Sequence, residues 1–252
     1  MSIVRKAGLA AIALILFGGV AVTVLLLSTP SVENADALAR AQAREHKIPY
    51  PGPRPPQRFL KALIATEDHR FYSPLNPGID PFAVARVAVA TLELPHRDPG
   101  GSTIAQQLAK MLYTPGRHGF AVKAEHVGLA MKLHFTYSPA QILAMYAEVA
   151  YFGDGYYGLA AASCGYFGHP PADLTWPQAA TLAGAVNAPA IDDPRKNPHR
   201  ARLRESHVLR RLVAVGDLTQ EQARAVLSEP LGTVERNPKA QQACESARSP
   251  GP

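Results

Sequence analysis

The sequence predicts an all-α fold, and three observations support that prediction. Apolar residues recur at helical spacing in most segments, whereas the alternation typical of strands is scarce. Four Ser/Thr-x-x-Gln segments have the spacing of a capping box, which marks a helix start, and they begin at Thr103, Ser138, Thr175 and Thr219. Hydrophobic residues make up 47% of the 252 residues and charged residues 18%, which is enough for a sizeable core.

The charge balance narrows the classes of partner. The net charge is +6, and no basic run is interleaved with aromatic residues, so a nucleic-acid partner is not expected. An anionic membrane surface or a phosphate-bearing substrate fits better. Cys164 and Cys244 match no metal-binding spacing. We expect Cys164 to be a small buried thiol and expect no disulfide framework.

The N-terminus predicts a membrane anchor. Residues 7–27 form an uncharged apolar run long enough to cross a bilayer, so residues 1–6 would be a cytoplasmic tail. Because Arg5 and Lys6 precede the run and Glu33 follows it, the rest of the chain should lie outside the cytoplasm. A cleaved signal peptide is the alternative, but the run is long and no small-residue cleavage site follows promptly.

A proline-rich tether is predicted next, at 28–57, and it ends in Pro-Gly-Pro-Arg-Pro-Pro. Such a segment is extended and semi-rigid. The main domain is then expected at 58–230, followed by a disordered tail at 231–252.

A helix from Phe59 to Phe71 carries an unusual carboxyl group. Glu67 falls in the middle of its apolar stripe, whereas Asp68 and His69 fall outside it. In one interpretation the helix frays and the Glu67 side chain reaches water. In the other, the carboxyl is partly desolvated, and its raised pKa suits it to take a proton near neutral pH.

A second helix should begin at Asp80 as N-cap and run through Arg86 towards residue 92. After a flexible connection at 95–101, a glycine-rich loop leads into another helix at 100–110. That helix has one apolar face, and its other face carries a hydroxyl, two amides and an ammonium group: Thr103, Gln106, Gln107 and Lys110. Such a strip is often only solvated. Amides and hydroxyls beside a helix N-terminus nevertheless suit a sugar or phosphate.

Residues 121–135 are expected to form the next helix. His126 falls in its apolar stripe beside Lys123, and Glu125 points the other way, near Lys132. The helix that follows Ser138 should stop before Gly153, because a glycine-rich turn begins there.

Several of these segments resemble motifs of the family 51 peptidoglycan glycosyltransferases. Residues 65–71 resemble the first motif, 100–110 the second, and 137–143 with 151–158 the fourth. The C-terminal signature is similar to 182–184, 187–189 and 208–210. The likeness runs from about Phe59 to Leu212. The monofunctional, membrane-anchored form is expected, because no transpeptidase domain follows.

The resemblance implies a lysozyme-like helical fold with a small membrane-proximal jaw, on the outer side of a bacterial cytoplasmic membrane. It implies lipid II as substrate and a growing glycan strand as product. Glu67 would be the base, and Lys110 and Lys123 would stabilise the departing pyrophosphate, with a divalent metal ion, Mg or Mn, as a further candidate. The remaining candidate substrate-binding residues are Asp68, Arg86, Ser102, Thr103, Gln106 and Gln107. Transpeptidases or other wall-synthesis proteins are candidate partners.

This sequence also departs from the family pattern. Counting back from Tyr137 places His126 where the third motif has its second glutamate, with Glu125 one residue away. Ala144 and Glu148 replace Glu and Asn, Glu205 replaces an arginine, and residues 73–78 replace a histidine of the first motif. His126 could act as an imidazolium beside the pyrophosphate or as a metal ligand, or it could be a core histidine with a satisfied hydrogen bond.

Three functions therefore remain open. The leading hypothesis is an active glycan polymerase with His126 as a second catalytic residue. The alternatives are an impaired relative that binds lipid II or a wall-synthesis partner, and a lytic glycan-cleaving enzyme. A lytic enzyme needs neither a membrane anchor nor a strip that binds pyrophosphate.

Overall fold

The computed structural model describes residues 3–82 and 101–246, and in these residues the regular secondary structure consists of helices joined by turns and loops. The α-helices are α1 (Ile3–Ser28), α2 (Ala35–Glu45), α3 (Gln57–Glu67), α4 (Ile104–Tyr113), α5 (Phe120–Thr136), α6 (Pro139–Val149), α7 (Leu159–Phe167), α8 (Trp176–Ala185), α9 (Pro198–Ala214), α10 (Gln220–Ser228) and α11 (Pro238–Ser246). Within the described ranges no strand forms, and the β-type pairing there is an isolated bridge between Tyr151 and Tyr157. The all-α prediction is therefore confirmed for this part of the chain. The helix predicted from Asp80 through Arg86 lies largely outside the described residues.

One hydrophobic core joins two groups of packed helices. Helix α3 packs against α8 and α9, while α4 packs against α5 and α6. Phe59 and Leu63 of α3 are fully buried, as are Leu108 of α4 and Ile142 of α6. Because α3 ends at Glu67, one residue before the buried Asp68, the predicted continuation of this helix to Phe71 is too long.

Four helices begin with the predicted capping boxes. The Thr103 hydroxyl accepts from the Gln106 amide nitrogen at 3.2 Å, and Gln106 Oε1 accepts from the Thr103 N–H at 2.8 Å. Equivalent boxes start α6, α8 and α10. The helix starts could be predicted because a capping box is a local pattern that satisfies orphan N–H groups without tertiary contacts.

Helix α1 occupies the predicted apolar run and ends beside α5. Thr29 is buried there, and Lys132 Nζ of α5 donates to the Pro30 carbonyl at 3.0 Å. By length, hydropathy and charge together, no helix in the described residues meets the requirement for a membrane span.

The predicted tether contains a packed helix. Helix α2 contacts α4 and α6, and it buries Ala35, Ala39 and Ala43 at a spacing of four residues. Small side chains at that spacing let two helices approach closely, and they give a weaker hydropathy signal than leucine. The packed body therefore begins well before the boundary predicted near residue 57.

The C-terminal segment also differs from the prediction. Cys164 and Cys244 form a disulfide with an S–S distance of 1.95 Å, so the buried-thiol expectation is wrong. The bond holds α11 against α7, within the stretch 231–252 that was expected to be disordered. Two cysteines 80 residues apart could not reveal this pairing, because only the fold brings their Cα atoms to 5.7 Å.

Candidate active site

Glu67 is the last residue of α3, and it lies half-buried where α3 meets α4. Its Oε2 accepts a hydrogen bond from Gln107 Nε2 at 2.8 Å. Burial raises the pKa of this carboxyl, and the Gln107 hydrogen bond and the charge of Arg204 partly offset that rise. The structure thus favours a partly desolvated carboxyl over a frayed, solvated one. Such a group is suited to proton transfer near neutral pH.

Gln107 links Glu67 to the core. Its Oε1 accepts from the Tyr146 hydroxyl at 2.8 Å while its Nε2 donates to Glu67. Tyr146 lies on α6 and is 1% exposed. The sequence placed Gln107 among the residues that hold a ligand, but both ends of its amide have partners inside the protein. The signal for Tyr146 was a hydroxyl on an otherwise apolar helix face, because a buried hydroxyl needs a partner.

Asp68 faces the protein interior instead of a ligand. It is 5% exposed, and its two oxygens accept from Asn76 Nδ2 at 2.8 Å and from the Ile104 backbone N–H at 3.2 Å. Burial raises the pKa of Asp68 to about 7 despite these hydrogen bonds. Asp68 therefore joins the end of α3 to the first turn of α4, which places Glu67 beside Gln107.

Two further candidates, Thr103 and Gln106, also form hydrogen bonds within the protein. The Thr103 hydroxyl is buried and donates to the Gly78 carbonyl at 2.6 Å. The side-chain oxygen of Gln106 accepts a hydrogen bond from the Thr103 N–H. The polar strip predicted on α4 is thus divided between residues that close the capping box and residues that face outward.

The outward-facing candidates are Ser102, Lys110 and Lys123, all of which are exposed. Ser102 directly precedes the N-cap of α4, and Lys110 lies in its last turn. Lys123 lies in the first turn of α5. Arg86 lies outside the described residues.

His126 is hydrogen-bonded to a neighbouring loop. One ring nitrogen, Nε2, lies 2.6 Å from the Thr114 hydroxyl. Burial lowers the pKa of His126, and the charges of Lys110, Arg117 and Lys123 lower it further, against an opposing effect of Glu125. The ring is therefore neutral at pH 7. This state disfavours the imidazolium hypothesis.

Glu125 has a different partner from the predicted one. It pairs with Arg117 at 3.0 Å, whereas Lys132 is engaged by the Thr29 and Pro30 carbonyls. The helical wheel gave the correct face for Glu125, but the partner comes from the loop before α5.

A divalent metal ion does not fit the donor set around His126. The described residues contain no group of three or more His, Cys, Asp or Glu side chains arranged to hold a metal ion. Around His126 the charged neighbours are mainly cations, and Glu125 is already paired. Cationic surroundings repel a divalent cation and attract a phosphate, so we assign no step to a metal.

The structural roles of two carboxyl groups, the half-buried Glu148 and the buried Glu205, were missed. The Gly52 N–H donates to Glu148 Oε1 at 2.7 Å, and burial raises the pKa of Glu148 to about 7. Glu205 is fully buried against Arg202 at 2.7 Å, and burial raises its pKa to about 7 as well. Neither side chain takes part in the hydrogen bonds that join Glu67, Gln107 and Tyr146.

Comparison with known proteins gives consistent matches. The family model described as Transglycosylase matches residues 34–213. Penicillin-binding protein 1A of Aquifex aeolicus is 36% identical over 182 residues, which cover 72% of this chain and 25% of that protein. Its counterpart from Neisseria gonorrhoeae is 38% identical over 176 residues, covering 70% of this chain and 22% of that protein. The chain thus spans about a quarter of the length of these relatives.

A solved structure gives a weaker match. The crystal structure of penicillin-binding protein 1A from Haemophilus influenzae is 22% identical and aligns with a TM-score of 0.42, over 72% of this chain and 17% of that one.

Proposed function

The chain belongs to the Transglycosylase family, and from that premise we propose that it is a peptidoglycan glycosyltransferase that polymerises lipid II into glycan strands. The observation that carries the proposal is the half-buried Glu67 carboxyl, held by Gln107 at the junction of α3 and α4. A carboxyl with a raised pKa in that setting suits general-base catalysis.

The proposed reaction is an inverting transfer. Glu67 takes the proton of the acceptor sugar hydroxyl, whose oxygen attacks the anomeric carbon of the donor. The bond from that carbon to the lipid pyrophosphate breaks as the new glycosidic bond forms. Among the described residues, Oε1 of Glu67 has no hydrogen-bond partner, so it is the oxygen available to accept the proton.

The departing pyrophosphate needs positive charge nearby. Lys110 and Lys123 are exposed, and both lie near enough to His126 for their charges to lower its pKa. We assign to these lysines the stabilisation of the leaving group. His126 keeps a positioning role beside Thr114, because it is neutral at pH 7.

The setting of the enzyme is part of the proposal. We infer that the apolar segment at 7–27 attaches the protein to the outer face of the cytoplasmic membrane, where lipid II resides, and that the helical body has a lysozyme-like arrangement with a membrane-proximal jaw. A disulfide between Cys164 and Cys244 supports an oxidising compartment. Transpeptidases that cross-link the new strand are the partners that this chemistry calls for.

The test uses purified full-length protein and labelled lipid II. Wild type should form long glycan chains, and Glu67→Gln should lose at least about 10²-fold in rate while it keeps its helicity. Glu125→Gln is the matched control, because that carboxyl pairs with Arg117 at the surface, and it should retain activity. Binding of lipid II without turnover by wild type would instead indicate an impaired relative. Cleavage of preformed glycan would indicate a lytic enzyme.

A further inference from the structure

The Gln107 amide lies between two groups that constrain it from opposite ends. Its Nε2 is 2.8 Å from Glu67 Oε2, and its Oε1 is 2.8 Å from the Tyr146 hydroxyl. The three residues belong to α4, α3 and α6, so three separate helices meet at this amide. A carboxamide can place either its oxygen or its NH₂ group at a given point with little change of volume. Something must therefore determine which end faces Glu67.

Tyr146 supplies that constraint. Its ring is 1% exposed, and burial raises the pKa of the hydroxyl well above its ordinary value, so the hydroxyl keeps its proton. Within the described part of the chain, the acceptor for that proton is Gln107 Oε1. If the amide turned over, the carbonyl would face the Glu67 carboxylate, and the buried Tyr146 proton would lose its acceptor. Both changes are costly.

We propose that Tyr146 is a positioning residue for the general base, and that its hydroxyl holds the Gln107 amide with the NH₂ group towards Glu67. This inference rests on the proposed function, in which Glu67 takes the proton of the acceptor hydroxyl. The amide then occupies Oε2 and leaves Oε1 for the reacting proton. It also stabilises the carboxylate, so Glu67 can be an ionised base although burial disfavours charge.

The other groups around Glu67 cannot replace this effect. From α9, the Arg204 charge favours ionisation, but Arg204 Nε donates to the Gly184 carbonyl at 3.2 Å and lies 3.5 Å from Asp192. Arg211 on the same helix donates to the Ala65 carbonyl at 3.0 Å. Among the described residues, the hydrogen bond to Glu67 therefore comes from Gln107.

The first test is the pH dependence of kcat/KM in Tyr146→Phe, which removes one hydroxyl and keeps the ring. The loss of the locked amide should move the acidic limb to higher pH by about one unit, with activity recovering above it. Tyr166→Phe is the matched control, since that buried hydroxyl donates to the Phe152 carbonyl at 3.1 Å. Its profile should coincide with that of wild type.

A second readout does not need turnover. In protein labelled with ¹³C-glutamate, the infrared band of the Glu67 carboxyl can be assigned from its absence in Glu67→Gln and then titrated. Tyr146→Phe should raise its midpoint by the same amount. An unchanged midpoint would overturn the proposal. This holds even if Tyr146→Phe is less thermally stable than wild type, because a purely structural role would lower stability without moving the midpoint. If wild type does not polymerise lipid II, the proposed function fails, but this titration still decides the role of Tyr146.

The single variant Gln107→Leu can be titrated even if Tyr146→Phe folds poorly, and a double-mutant cycle then tests whether Tyr146 acts through the amide. Gln107→Leu should by itself raise the Glu67 midpoint, because it removes the NH₂ donor. Adding Tyr146→Phe to Gln107→Leu should then change nothing further, since the hydroxyl acts through the amide. A full additional shift in the double variant would mean that Tyr146 acts on Glu67 by another route and would reject the proposal.

Discussion

Glu67 and Asp68 are adjacent carboxyl groups, and the end of α3 turns them in different directions. Among the described residues, Glu67 has a partner for one oxygen, Gln107, whereas Asp68 has partners for both, Asn76 and the Ile104 N–H. Burial raises the pKa of both. Geometry therefore distinguishes the base from its neighbour, and the pKa alone does not.

The neutral state of His126 leads to a prediction about activity. Because the ring is neutral at pH 7, His126→Gln should keep polymerase activity within a few-fold of wild type, and activity should not fall as the pH rises past about 6.5. Lys110→Met should lose at least about 10-fold, because it removes a charge that stabilises the leaving group. Rate measurements on both variants from pH 5.5 to about 8 check this. Loss of turnover in His126→Gln, together with a decline of the wild-type rate above pH 6.5, would restore the imidazolium hypothesis.

Glu205 gives a second prediction, for stability. Its pKa rises from 4.5 to about 7 on folding, so its contribution is fully present below about pH 4.5 and is lost as the pH rises through about 7. The loss is on the order of 3 kcal/mol for a fully buried group. Glu205→Gln should therefore flatten the dependence of the unfolding free energy on pH between those values. Urea titrations at several pH values measure it, and an unchanged slope would contradict the assignment.

At the scale of elements, local patterns were predictable and pairings were not. The capping boxes at Thr103 and Ser138 were confirmed because they depend on residues three apart. Helix α2 was missed because its buried face consists of alanine. The inward turn of Asp68 was missed because a helical wheel does not apply beyond Glu67, where α3 ends.

In the candidate site, too, a local feature was predictable and the contacts between helices were not. The Glu67 carboxyl stood out from one helix alone, because a charge on an apolar stripe is unusual. Gln107 is hydrogen-bonded to Glu67, 40 residues before it, and to Tyr146, 39 residues after it, so the network links three helices and no local pattern records it.

The disulfide between α7 and α11 gives a prediction at this scale. It closes a loop of 80 residues, so its loss should lower the free energy of unfolding by about 2–4 kcal/mol, with the unfolded state gaining most of the freedom. The measurement is urea unfolding of Cys164→Ala/Cys244→Ser beside oxidised and reduced wild type. Reduced wild type and the double variant should agree. A variant as stable as oxidised wild type would show that α11 holds to α7 without the bond.

In the whole molecule, the proposed catalytic cleft and the N-terminal helix meet through α5. Lys123 lies in the first turn of α5, and Gly128 lies five residues further on, about 7.5 Å along the helix axis. Leu25 and Thr29 at the end of α1 pack directly on Gly128. The point at which α1 leaves the body is therefore fixed relative to Lys123, one of the two lysines to which we assign the pyrophosphate.

That arrangement leads to a prediction for membrane-bound substrate. A Cβ atom at Gly128 would lie 2.8 Å from Thr29 Cγ2, so Thr29 would have to shift, and 3.1 Å from Leu25 Cγ, so Leu25 would have to move by a few tenths of an ångström. The two further methyl groups of valine add to this crowding. Gly128→Val should therefore displace the end of α1 and lower turnover of lipid II in vesicles several-fold. Turnover of lipid II in detergent should change little, because Glu67, Gln107 and the lysines keep their places.

The matched control for that experiment is Gly18→Ala. A Cβ atom at Gly18 meets nothing within 4 Å, so this variant should behave as wild type in both assays. Limited proteolysis between α1 and α2 supplies an independent readout, since an undocked α1 exposes residues 28–34 to cleavage. Equal losses of Gly128→Val activity in vesicles and in detergent would show that the substitution damages α5 itself. Full activity and unchanged proteolysis would show that docking of α1 on α5 is not needed for turnover of lipid II in vesicles.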